Sequence, residues 1–448
     1  MSEATGGERD AGGSRTEFWQ RTAAFLCLGM AVGAPAGQSL AAIRFLPGAN
    51  IVGSVLTLPI VLIGTVALAR IVLSPFLDAF DPPGLSRMGR RRGWTALLTA
   101  LLIVLAIPIL VMAPAGNPAG ATASPAALIL MLVAFVIAGG LMACIDGLRT
   151  AQPGHNAQGV YAAAQYLGTI IPGGIGALIL RGADSWTISV FSCAFLAAAW
   201  LGLWLLPGRE APALRVLDRP EAKRFLAADR NLSRSGMAVT AWLAGVFVSP
   251  IADFFRRHGA VAWTILAVLI LGDFATNLEA RQQIRLHATL LGESQARTIG
   301  TVHAVALYVG VILGALIVWR WQAVRGLAAA FVLAGAATVA GMAAIAAAPS
   351  LPWFLVALAF DAVADGAVLM CFVAFIARAV TPTYAAFQFS LLWLAAIPTT
   401  LINRLRTSIE TDIGPIGLYV LFLVLLAAAI ALTLWLARRL DADDATQS

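Results

Sequence analysis

The side chains with chemistry to offer here are a few ionisable residues set inside long apolar runs: Arg70, Asp273, Asp361 and Asp365. Asp361 and Asp365 are four apart, so on a helix they share one face. Two close carboxyls in a medium of low dielectric raise at least one pKa toward neutrality. A carboxyl that takes up a proton on one side of a barrier and releases it on the other carries protons, and Asp273, Asp361 and Asp365 are the candidates for that role. Arg70 precedes Asp78 by eight residues, about 12 Å along a helix at 1.5 Å per residue. That depth is more than a loop charge needs, and it suits an anionic ligand group or an acid on another helix. An ionisable group near a bilayer centre costs about 2.5 to 3.5 kcal/mol on insertion scales, so each of these residues needs a role.

A second set stands at the ends of the apolar runs. Asp78 is followed by Arg90, Arg91 and Arg92, and Asp146 by Arg149. An acid facing a basic cluster at a helix end forms pairs that hold one conformation and break in another, so these six residues read as a conformational gate. Polar side chains scattered on the apolar runs include Gln38, His303, Tyr308 and Trp393. With Arg70, the chosen ligand contacts are Gln165, Tyr166, Asn277, Tyr384 and Gln388, which suit an amide- or sugar-rich solute. Helix-to-helix hydrogen bonding is the competing role for each of them.

Other chemistries find little footing. His155, His258, His287 and His303 fall in four unconnected places, without nucleophile–base pairing, so an enzyme is not expected. Cys27, Cys144, Cys193 and Cys371 each stand alone in an apolar segment, which reads as packing and calls for neither metal nor cofactor.

The elements that hold these residues follow from composition. Hydrophobic residues make up 60% of the 448 and charged residues 12%, too apolar for a soluble core, so lipid is the solvent. Runs of about 20 apolar residues predict an all-α membrane protein with about twelve transmembrane helices, at 22–43, 51–77, 94–113, 126–146, 159–180, 186–206, 259–278, 299–319, 326–347, 352–379, 383–402 and 416–437. The polar start 1–21 has no apolar signal core and reads as a cytoplasmic tail, and 439–448 as another. With both termini inside, basic residues favour the cytoplasmic side by roughly three to one. That bias also accounts for the +7 charge without nucleic acid. The polar stretch within 207–258 divides the helices into halves 22–206 and 259–438, the layout of the major facilitator fold. Inside it, Val248–Gly259 pairs an apolar face with Arg256 and Arg257 and suits an interfacial helix.

The segment RIVLSPFLD (Arg70–Asp78), with the arginine-rich loop after it, resembles the loop signature of the major facilitator superfamily. Within it the sequence is similar to muropeptide permeases of the AmpG type and their acetyl-coenzyme A transporter relatives. IDGLRT, LGD (Leu271–Asp273), FDAVADGAVLMCFVAF (Phe360–Phe375) and TPTYAAFQFSLL (Thr381–Leu392) extend the similarity through both halves. Ile270, Met142 and Asp361 stand where those families usually carry a lysine, an acid and a glutamate. The resemblance implies proton-symport import of anhydromuropeptides across the bacterial inner membrane during peptidoglycan recycling, by alternating access and as a monomer. A siderophore or other peptide-like solute is the alternative cargo. A transporter-like receptor, an assembly factor or a membrane-embedded enzyme is the alternative class.

Overall fold

The computed structural model describes residues 15–43, 54–112, 125–154, 157–179, 185–208, 210, 216–228, 234–291, 296–346, 351–395 and 399–447. The start of the N-terminal tail lies outside the described residues, and Gln38 and Asn277 lie outside those whose side chains are described. Fifteen α-helices are present among the described residues. The first six are α1 (Arg15–Ile43), α2 (Ser54–Leu77), α3 (Arg90–Met112), α4 (Pro125–Thr150), α5 (Ala157–Ile179) and α6 (Ser185–Leu205). The central connection holds α7 (Pro220–Ala228), α8 (Arg234–Leu243) and α9 (Ser249–His258). There follow α10 (Val261–Leu291), α11 (Ala296–Trp321), α12 (Ala323–Ala346), α13 (Leu351–Ala379), α14 (Ala385–Ala395) and α15 (Thr399–Gln447). In α15 the backbone breaks at Gly414, where φ is 72°, a conformation that costs glycine little.

Several helices outrun the expected bounds because their polar ends are satisfied rather than solvated. α4 continues through Asp146 and Arg149, which are buried and paired. α3 begins at Arg90 because its second residue, Arg91, donates its backbone N–H to the Glu210 carboxylate at 2.9 Å, which caps the helix with the charge its dipole favours.

The chain divides into two compact units. Unit 1 comprises Met1–Pro153, Ala164–Phe254 and Val380–Ser390. In it α1 packs on α6, α2 on α4, and α3 on both α4 and α6. α1 and the part of α5 in this unit approach until their backbones touch: a Cβ added to Gly29 would lie 2.0 Å from the Gln165 carbonyl oxygen. Such contact replaces the hydrophobic drive that lipid removes. Unit 2 comprises Gly154–Ala163, Phe255–Ala379 and Leu391–Ser448, with α13 between α11 and α12 and α15 against α10 and α12. Here Gly366 of α13 faces α11 backbone, and an added Cβ would sit 2.3 Å from the Leu307 carbonyl oxygen.

Large apolar residues face outward, Trp204 at 80% exposure and Trp353 at 68% among them, which is what a lipid solvent permits. Seven spans among the described residues are long and apolar enough to cross a membrane. One of them, Ser235–His258, was not expected to be so long. It is α8 and α9 joined without interruption by a π-helical turn at Ala244–Val248. It makes side-chain contacts within unit 1. Trp242 packs on Phe76 and Phe80, Phe247 on Phe76 and Phe387, and Pro250 and Asp253 bond to Gln388. These partners sit where α2 ends and α14 begins, so the helix packs against those two ends as a strap.

Candidate functional site

Asp78 is the residue after α2 and turns back onto it, its N–H donating to the Ser74 carbonyl at 3.0 Å. This buries the carboxylate to 1% exposure. Its Oδ1 accepts Arg91 Nε at 3.1 Å and Nη2 at 2.8 Å, and its Oδ2 accepts the Phe387 N–H at 2.9 Å. Arg91 Nη2 also donates to the Pro382 carbonyl at 2.6 Å. The neighbouring arginines do other work: Arg90 pairs with Asp81 at 3.1 Å and bonds the Asp78 carbonyl, while Arg92 Nη2 donates to the Pro207 carbonyl at 2.9 Å. Of the basic run, Arg91 alone pairs with the Asp78 carboxylate in this structure.

Deeper in unit 1 a second cluster centres on Asp146. Arg70 of α2 meets its Oδ2 at 2.7 Å, and Arg149, one turn along α4, meets its Oδ1 at 3.1 Å. Gln165 of α5 donates to Asp146 Oδ1 at 3.0 Å and accepts Arg149 Nε at 3.0 Å. The Phe389 ring covers both guanidinium groups, with centroid distances of 5.0 Å to Arg70 and 5.1 Å to Arg149. Arg70 Nε donates to the Ser390 hydroxyl at 3.2 Å. Tyr166 lies close enough to interact electrostatically with Arg70 and Asp146. The expected ligand contacts Arg70, Gln165 and Tyr166 and the expected gate residues Asp146 and Arg149 therefore form one cluster. A carboxylate between two guanidiniums and a primary amide is a geometry that an incoming anionic or amide group can compete for.

Both clusters engage Val380–Ser390, a segment packed in unit 1 whose chain continues on each side into unit 2.

Two expected ligand contacts do something else. Gln388 accepts the Thr381 N–H at 2.7 Å and hydroxyl at 3.1 Å, and donates to the Pro250 carbonyl at 2.8 Å and to Asp253 Oδ2 at 3.2 Å. An amide has two donors and two acceptor sites, so the protein saturates it, and Gln388 is a clip between the strap and the start of α14. The Tyr384 ring is buried beneath the Arg219 guanidinium, 5.0 Å from centroid to carbon. In unit 2, Asp361 is 3% exposed and its Oδ2 has no hydrogen-bond partner among the described residues. Asp365 lies one turn further along α13 and Asp273 on the adjoining α10, both half-buried.

Glu210, Arg219 and Asp253 were missed by sequence reasoning, which treated the connection as orientation charge. Burial raises the Glu210 carboxyl above its usual range, partly offset by Arg91 and Arg92. Burial lowers the Arg219 guanidinium from its usual value, opposed by Tyr384 and Asp78. No local pattern marks these residues, since their partners lie on distant helices.

Solved structures share this architecture along nearly the whole chain. A bacterial homologue of the iron transporter ferroportin, outward-facing, superposes with a TM-score of 0.57 at 13% identity, covering 95% of this chain and 100% of that one. The proton:xylose symporter bound to 6-bromo-6-deoxy-D-glucose, a major facilitator superfamily protein, gives 0.55 at 13% identity over 94% and 95%. This is the major facilitator fold. The E. coli fucose:proton symporter gives 0.58 at 14% identity, over 94% of this chain and 97% of that one. No family model matches the sequence, and no curated protein does. The Gly414 break divides α15 into two helical stretches. The chain is a multi-pass membrane protein.

Proposed function

We propose that the chain is a secondary transporter of the bacterial inner membrane, importing a small solute by alternating access with protons as the coupling ion. The observation that carries this reading is the buried Arg70–Asp146–Arg149–Gln165 cluster roofed by Phe389 and Ser390. A solute carboxylate competes with Asp146 for Arg70, and solute amides compete for Gln165. That exchange loosens the roof, which belongs to the segment leading into unit 2. The Asp78–Arg91 gate holds the same segment through Phe387 and Pro382, so cargo binding and gate release act on one stretch of chain. Asp361, buried with an unbonded carboxyl oxygen, is the first candidate for the proton, with Asp273 and Asp365 as its neighbours in the relay. Two structural neighbours are proton symporters, which supports the same coupling.

An anhydromuropeptide is the first-choice cargo: it offers the carboxylates and amides that the cluster is built to exchange, and the AmpG-type resemblance of both halves points to it. A siderophore or other peptide-like solute is the second. The test is uptake of labelled anhydromuropeptide into inverted or right-side-out vesicles of defined orientation, with and without a proton gradient. Gradient-driven accumulation that Asp361→Asn abolishes, with normal membrane insertion, is the expected result. Full activity of Asp361→Asn removes that residue from the coupling step. Accumulation of a siderophore instead reassigns the cargo, and no accumulation of any solute under either condition refutes transport.

A further inference from the structure

Arg219 has no part in the cargo or proton steps, yet it is one of the most deeply buried side chains described, at 0% exposure. Its Nη2 donates to the Asp78 carbonyl at 2.8 Å and its Nη1 to the Gly245 carbonyl at 2.7 Å, while its flat face covers Tyr384. We infer that Arg219 is the pin of a strap: one guanidinium joins the connection between the halves, the acid-bearing end of α2 and the Val380–Ser390 segment, and it must withdraw when the gate opens.

The chemistry suits a pin. A planar fork addresses two carbonyls at once, which an ammonium cannot do in the same way. The Asp78 carbonyl follows the C-terminus of α2, where a cation meets the favourable end of the helix dipole. Gly245 lies in the π-helical turn, and its carbonyl there accepts Arg219 Nη1. A Cβ there would come within 2.7 Å of Val216, so the turn fits only against the residues leading to Arg219. Ala79, Val216 and Val246 close a buried apolar contact around it, with Trp242 and Phe247 packed against them. The strap continues into unit 2 after Phe254 and the Val380–Ser390 segment does so at Leu391. Arg219 thus holds the connection and the Val380–Ser390 segment against the same helix end.

The inference rests on the transporter reading only for withdrawal during turnover; the pin itself is read without cargo. The full chain, purified in detergent, is treated with trypsin. Cleavage at the exposed Lys223 and Arg224 of α7, the helix that follows Arg219 and leads into the strap, reports strap release, and cleavage at the exposed Arg438 and Arg439 serves as reference. Arg219→Gln is expected to speed strap cleavage at least fivefold with the reference rate unchanged, and Arg219→Lys, in case the first variant folds poorly, at least twofold. Amide exchange should rise at least threefold in peptides covering 74–80 and 382–390. Strap cleavage within twofold of wild type in Arg219→Gln, or a rise at both sites in step, overturns the pin. If the pin holds but Asp78→Asn transports normally, the gate reading fails instead.

Discussion

Asp146→Asn removes the one described carboxylate that Arg70 and Arg149 share, and the structure sets the size of the effect. The three side chains are at most 5% exposed, so water screens them weakly. With charge centres about 4 Å apart, each pair is worth about 4 kcal/mol at an effective dielectric of 20. Removing one partner of a buried pair typically costs about 3 to 5 kcal/mol. Asparagine keeps an oxygen for Arg149 but no charge for Arg70. The melting temperature in detergent should therefore fall by about 3 to 5 °C, followed by tryptophan fluorescence. A second substitution separates charge from packing. In Asp146→Asn/Arg70→Leu the stranded guanidinium is gone, so the double variant should melt above Asp146→Asn alone, with a coupling energy of at least about 2 kcal/mol. A single variant within 1 °C of wild type, or a double variant that melts lower than the single, refutes the claim that Asp146 compensates Arg70.

Gly366→Ala places a methyl 2.3 Å from the Leu307 carbonyl oxygen, so α11 and α13 must separate; a loss of about 1 to 3 kcal/mol is expected from denaturant melts, and an unchanged midpoint would show that the crossing is loose. Gln388→Ala leaves Asp253 and the Thr381 N–H without the amide that bridges them. It should raise exchange in residues 248–254 more than in α1, and equal protection would assign the clip no role. Glu210 makes a pH prediction. Its carboxyl faces Arg91 and Arg92 of α3, and Arg21 of α1 lines the same pocket of 330 Å³. Because burial raises its folded pKa above 4.5, its contribution is fully present below the unfolded value and is lost as pH rises through the folded one. Relative to Glu210→Gln, wild type should gain melting temperature on acidification from neutral pH, and a relative loss would show that the arginines outweigh burial.

The membrane class and the run of helices were legible in the sequence, because lipid as solvent writes itself into composition at every position. So were Arg70 and Asp361 as buried residues needing a role, since a charge inside an apolar run is costly wherever it points. The partners were not legible. That Arg91 rather than Arg90 or Arg92 takes the Asp78 carboxylate depends on which way the first turn of α3 faces once Glu210 caps it. That Arg70 pairs with Asp146, and Gln388 with the strap rather than with a solute, depends on helices far apart in the chain. The connection, read as topogenic charge with one short interfacial helix, became a strap because Arg219 and Gly245 find their partners only in the folded protein. Hydropathy is a property of each residue alone, and pairing is a property of positions in space, so only the tertiary structure decided the pairs.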